Sequence, residues 1–107
     1  MRRYTKYKEH ARTLVQTRLE FYNQFYNYKI GRISIRNQKR RWGSCSSKGN
    51  LNFNYKIVFL PLELADYIIV HELCHLGELN HSPRFWTLVE KQCPDHTKLR
   101  EHLRKVQ

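Results

Sequence analysis

The chain has 107 residues, which suits one domain with one modest core, so residues 1–107 are read as a single domain. At 40% hydrophobic and 13% aromatic residues it is too apolar for a disordered segment, and no apolar run approaches the ~20 residues of a membrane span. The net charge of +11 is uneven: no acidic residue falls between Glu20 and Glu63, a window holding Lys29, Arg32, Arg36, Lys39, Arg40, Arg41, Lys48 and Lys56. A basic stretch over residues 29–56 implies either a polyanionic partner (nucleic acid, a phosphorylated substrate, an acidic protein) or only a solvated face.

The first ten residues are basic, with no apolar segment behind them, so no secretory signal is expected. Cys45, Cys74 and Cys93 are odd in number and far apart, which fits free thiols in a reducing cytoplasm. Residues 5–27 carry Ala11, Leu14, Val15, Leu19, Tyr22, Phe25 and Tyr26 at three- and four-residue intervals, predicting a helix. Alternation in Arg32–Arg36 predicts a strand, and Arg41-Trp-Gly-Ser-Cys45 a second. A turn at 46–50, with Gly49 free to take a positive φ, leads to a third strand through Leu51, Phe53 and Tyr55. Ile57–Leu60 is a continuous apolar run.

Pro61 is placed to open a helix running to about Leu76, where Gly77 can end it in the left-handed conformation. Ser82-Pro83 starts another helix, stopped by Pro94, and Asp95 can cap a last one carrying Leu99, Leu103 and Val106. The expected fold is α+β: an N-terminal helix, a small, mostly antiparallel three-stranded sheet, then three helices.

The helix from Tyr67 to Leu76 is apolar nearly all round, yet it contains His71, Glu72 and His75. Burying an unpaired charge is expensive, so these residues need a reason. His71 and His75 lie one turn apart on one face, and two imidazoles so spaced reach one metal ion. H-E-x-x-H on a helix is the zinc hydrolase pattern, with the carboxylate activating water. Zinc is the expected ion, although imidazoles also suit other divalent transition metals. If the helix ends near Gly77, a turn can return His81 as third ligand and leave a position for water or substrate. Glu90 and Glu78 are its rivals. His10 and His102 read as surface residues, Phe85 and Trp86 as core, and Cys74 as a packed thiol; nothing in the spacing brings His96 to the site.

Arg41-Trp-Gly-Ser-Cys-Ser46, Gly49-Asn-Leu-Asn52, Leu60-Pro61, Val70-His-Glu-Leu-Cys-His-Leu76 and Asn80-His-Ser-Pro-Arg-Phe-Trp86, in that order, resemble the YgjP-like metallopeptidase domain family. The chain is more distantly similar to the SprT and WLM-type minimal zincins. The resemblance runs from about Tyr4 to Leu103. It implies a compact zincin core, zinc on His71, His75 and His81, Glu72 as general base, and the Arg41–Cys45 strand flanking the cleft. A metzincin reading fails, because the only methionine is Met1.

The expected activity is metal-assisted hydrolysis of a peptide, with Arg40, Arg41 and Arg84 as candidate oxyanion or substrate donors. A sheet edge beside the cleft could take an extended peptide as an added strand. The same metal and water could instead act on a nucleoside triphosphate, and a third reading is a nucleic-acid-associated protein. A purely structural metal site ranks last, since only three ligands are apparent.

Overall fold

The computed structural model describes residues 2–106. Helix α1 (Arg3–Asn23) is followed by strands β1 (Ile33–Arg36), β2 (Gly43–Cys45) and β3 (Leu51–Asn54) and a 3-10 turn, Tyr55–Phe59. Helices α2 (Leu62–Cys74), α3 (Pro83–Glu90) and α4 (His96–Lys105) complete the chain. No helix of the described residues is long and apolar enough to cross a membrane.

Ala11, Val15 and Leu19 are the buried part of the α1 stripe. The helix ends four residues sooner than the periodicity predicts. Asn23 closes it: its side chain donates to the Tyr28 carbonyl and accepts from the Tyr28 N–H, both at 2.9 Å. Asn27 takes a positive φ of 59° in that turn, and Phe25 is left exposed.

The sheet order is β1-β3-β2. The β2–β3 hairpin is antiparallel as expected, pairing Gly43 with Phe53 and Cys45 with Leu51. Gly49 takes its positive φ of 84° in the turn. The expectation of a mostly antiparallel sheet is corrected at β1, which runs parallel to β3 with Ile33 opposite Leu51 and Ile35 opposite Phe53. Local alternation predicts a strand but not its neighbour, and here the connection passes through β2 on the far edge of β3. Leu51 and Phe53 are buried at the centre of the sheet.

Helix α2 is buried on most of its circumference, as its composition requires: Leu64, Ile69, Val70, Leu73 and Cys74 have no solvent exposure. It packs on α1, β2, α3 and α4. Asp66, in its second turn, is buried and clamped to α1. Arg18 donates to both carboxylate oxygens at 2.8 and 2.7 Å, and the Tyr22 hydroxyl donates at 2.9 Å. The fork geometry is the strong form of this contact, and it fixes α2 along α1.

Candidate active site

His71 and His75 project from the last turn of α2 and its cap, one turn apart. The chain then turns rather than continuing the helix: the N–H groups of Leu76 and Gly77 bond the carbonyls three residues back, and Glu78 N–H bonds Cys74. This turn returns His81, just before Ser82, which caps α3 by accepting from the Phe85 N–H.

Gly77 does not take the left-handed conformation; positive φ among the described residues occurs at Asn27 and Gly49. Glycine is required there for space. A Cβ at Gly77 would overlap the Tyr28 hydroxyl oxygen and lie 2.7 Å from Cζ. Tyr28 in turn stacks on Tyr26, whose hydroxyl donates to the Leu88 carbonyl at 2.7 Å. The turn after the helix is thus held by side chains from the α1–β1 connection.

Three imidazole nitrogens converge. His75 Nε2 is 3.1 Å from His81 Nε2, which is 3.3 Å from His71 Nε2. All three lie within 4.8 Å of one another, and neither Glu78 nor Glu90 belongs to the cluster. The donor set fits a metal ion. His75 Nδ1 lies 3.0 Å from the Glu78 carbonyl oxygen, which can only accept, so the proton sits on Nδ1 and Nε2 presents a bare lone pair. Three nitrogens facing one another cannot all be satisfied by protons; one shared cation satisfies them together. Burial, followed by the neighbouring imidazoles and Arg100, lowers the His71 pKa to about 3. Burial likewise lowers that of His75. Both are held in the neutral, ligating form.

The rings are packed by aromatic neighbours. Phe85 is fully buried and stacks on His75 with centroids 4.3 Å apart. Trp86 is half-buried rather than core: it stacks on His81 at 5.8 Å and on His96 at 5.0 Å. His96 therefore stands one ring away from the site. His10 and His102 are exposed, as expected.

Glu72 is 7% exposed and faces β2 at Gly43. A Cβ at Gly43 would lie 3.0 Å from Glu72 Cγ and 3.1 Å from Oε2. The glycine of the Arg41–Cys45 strand makes room for this carboxylate, so the strand does flank the helix. Burial pushes the Glu72 carboxyl up to about 8, opposed by the charge of Arg41. A nearby dication would bring it back down.

A cavity of about 200 Å³ opens beside His71 and Glu72, walled by Trp42, Tyr67, Arg100 and Leu103. The Tyr67 hydroxyl is 3.5 Å from His71 Nδ1. Sequence reading missed Tyr67 and Arg100. Tyr67 sits one turn before His71, a usable signal, but Arg100 comes from α4 and nothing local announces it. Arg40 and Arg41 line a second cavity with Trp42. Arg84 lines a different one with Gly77 and Tyr28, and approaches Glu78 at 4.0 Å.

A family profile described as YgjP-like, metallopeptidase domain, matches residues 2–106. The chain belongs to the YgjP-like metallopeptidase domain family. Its fold is similar to the crystal structure of the metallopeptidase zymogen abylysin of Pyrococcus abyssi: 28% identity, TM-score 0.75, covering 83% of this chain and 90% of that one. It is also similar to the metallopeptidase zymogen jannalysin of Methanocaldococcus jannaschii, at 26% identity and TM-score 0.67, covering 91% and 97%. Comparison with curated proteins found no match. This YgjP-like chain is thus a metal-dependent hydrolase of the metallopeptidase type, with the fold of a minimal zincin.

Proposed function

We propose that residues 1–107 form one catalytic domain in which His71, His75 and His81 hold zinc and Glu72 is the general base of peptide-bond hydrolysis. The observation that carries this reading is the convergence of three imidazole Nε2 atoms beside a buried carboxylate. When bound, the ion supplies Lewis acidity toward water and toward a peptide carbonyl. The Glu72 carboxylate takes a proton from the attacking water and returns it to the leaving nitrogen. Gly43 leaves that carboxylate room. Phe85 and Trp86 restrict the His75 and His81 rings. Tyr67 and Arg100 line the cavity where an oxyanion donor is needed, and of the three arginines proposed from sequence it is Arg41 whose charge acts on Glu72. The free thiols of Cys45, Cys74 and Cys93 suit a reducing compartment such as the cytoplasm.

The comparisons support a peptide substrate and lend no support to the nucleotide or nucleic-acid alternatives. The test is Glu72→Gln, assayed on casein and short peptides beside a nucleoside triphosphate, with metal content measured in the same samples. The variant keeps its zinc and loses at least about a hundredfold in peptide turnover. Unchanged turnover would falsify the mechanism.

A further inference from the structure

The cavity beside His71 and Glu72 does not stand alone. Trp42 is also a wall of the cavity of about 150 Å³ bordered by Lys39, Arg40, Arg41 and Lys56. Helix α4 follows both: Arg100 and Leu103 line the first, and Val106, at its C-terminal cap, lines the second. The two are neighbouring pockets of one surface, sharing Trp42 and bordered by α4 on one side and by the loop before β2 on the other.

That loop is built. The buried Asn54 side chain donates to the carbonyls of Gln38 and Arg41 at 2.8 and 2.9 Å, pinning it to the end of β3. Lys39, Arg40 and Arg41 are therefore presented on a fixed backbone. Arg100 is placed as well, its guanidinium 5.4 Å over the Trp86 ring. None of these five cations is in an ion pair among the described residues. Among the described residues, the only side-chain carboxylate lining either cavity is Glu72.

Along this surface five unpaired cations outnumber the single carboxylate, Glu72, so its potential is predominantly positive. We propose that it selects peptides carrying acidic side chains beside the bond to be cut, Arg100 taking a carboxylate in the first cavity and Lys39, Arg40, Arg41 and Lys56 taking one in the second. This rests on the proposed function, because it takes the His71–Glu72 end as the place of cleavage. Each cation is solvent-accessible and contributes modestly; several together give a preference on the order of tenfold.

The test separates selection from chemistry. Zinc-loaded full chain bearing Glu72→Gln is titrated into labelled, C-terminally amidated peptides that differ only in Glu against Gln around a common centre. The Glu peptide binds about tenfold more tightly at low salt, and the difference shrinks as salt rises. Arg100→Gln alone reduces the preference, and Arg100→Glu with Arg40→Glu, which leaves Lys39, Arg41 and Lys56 against two new carboxylates, brings the Glu and Gln peptides close to equal binding. Equal binding of the Glu and Gln peptides without those reversals, or a preference undiminished by them, overturns the proposal. So does a single-stranded oligonucleotide that occupies this surface more tightly than the Glu peptide and cannot be displaced by it. Wild-type protein is assayed for hydrolysis of the same peptides. Cleavage without acidic preference sinks the selection and leaves the hydrolase reading intact. Selective binding without any cleavage does the reverse.

Discussion

Gly43→Ala puts one methyl group between β2 and Glu72 on α2. The added carbon would sit 3.0 Å from Glu72 Cγ, 3.1 Å from its Oε2 and 3.0 Å from the Asn52 carbonyl oxygen. Ordinary contact begins near 3.4 Å, so the surroundings must give by a few tenths of an ångström. The Asn52 carbonyl belongs to the central strand, which is hydrogen-bonded on both edges, and gives little. Glu72 therefore moves, and misplacing a reacting group on this scale lowers kcat by roughly ten- to a hundredfold. Overpacking also lowers stability by about 1–3 kcal/mol. The assay is peptide hydrolysis, with metal content and a thermal melt on the same preparation: kcat falls, KM changes little, and zinc is retained. Gly49→Ala is the control. It forces a side chain into a positive-φ turn, with Leu76 Cδ2 3.7 Å away, so it costs stability without touching Glu72. If Gly43→Ala matches wild-type kcat, or if both variants lose activity alike, the placement argument is wrong.

Gly77→Ala collides with the Tyr28 hydroxyl and lowers the thermal midpoint and zinc affinity together; adding Tyr28→Ala recovers zinc affinity, and a double variant no better than the single removes the steric explanation. Asp66→Ala removes the carboxylate that the half-buried Arg18 and Tyr22 both bond and costs roughly 1–3 kcal/mol by urea unfolding, at unchanged metal stoichiometry. In chelator, the His71 pKa falls from an ordinary 6.5 to about 3, so its stabilisation is full above pH 6.5 and lost as pH falls below that. Glu72, raised from 4.5 to about 8, stabilises fully below pH 4.5 and loses that contribution as pH rises through 8, so the urea midpoint of the metal-free protein peaks between about 4.5 and 6.5; a midpoint still rising from 6.5 to 8 contradicts this.

The candidate site on α2 was readable because its chemistry conflicts with its surroundings: His71, Glu72 and His75 stand among residues that otherwise demand burial. His81 was readable through Gly77, where the helix can end, so that a turn returns the chain before the helix start at Ser82-Pro83. What the sequence hid depends on contacts between distant segments. The parallel pairing of β1 is set by the route of the connection, not by its alternation. Gly77 signals a turn, but its partner Tyr28 lies 49 positions earlier, so conformational freedom looked like the reason when space was. Asp66 reads as a favourable charge near a helix start, and only the docking of α1 reveals the Arg18 clamp. Arg100 and Trp42 are ordinary residues in sequence; the packing of α4 against the loop before β2 makes them neighbours of the site.

The three histidines lie within ten positions of one another, whereas the clamp between α1 and α2 spans 48. Closing so short a span costs little chain entropy, so the denatured polypeptide retains a usable share of the ion's affinity. A metal that binds both ends of the folding equilibrium stabilises only by the difference. Zinc should therefore raise the melting temperature of this protein by less than its affinity for the native state implies, and the architecture must stand chiefly on the apolar packing of α2 and on the clamp that holds it to α1.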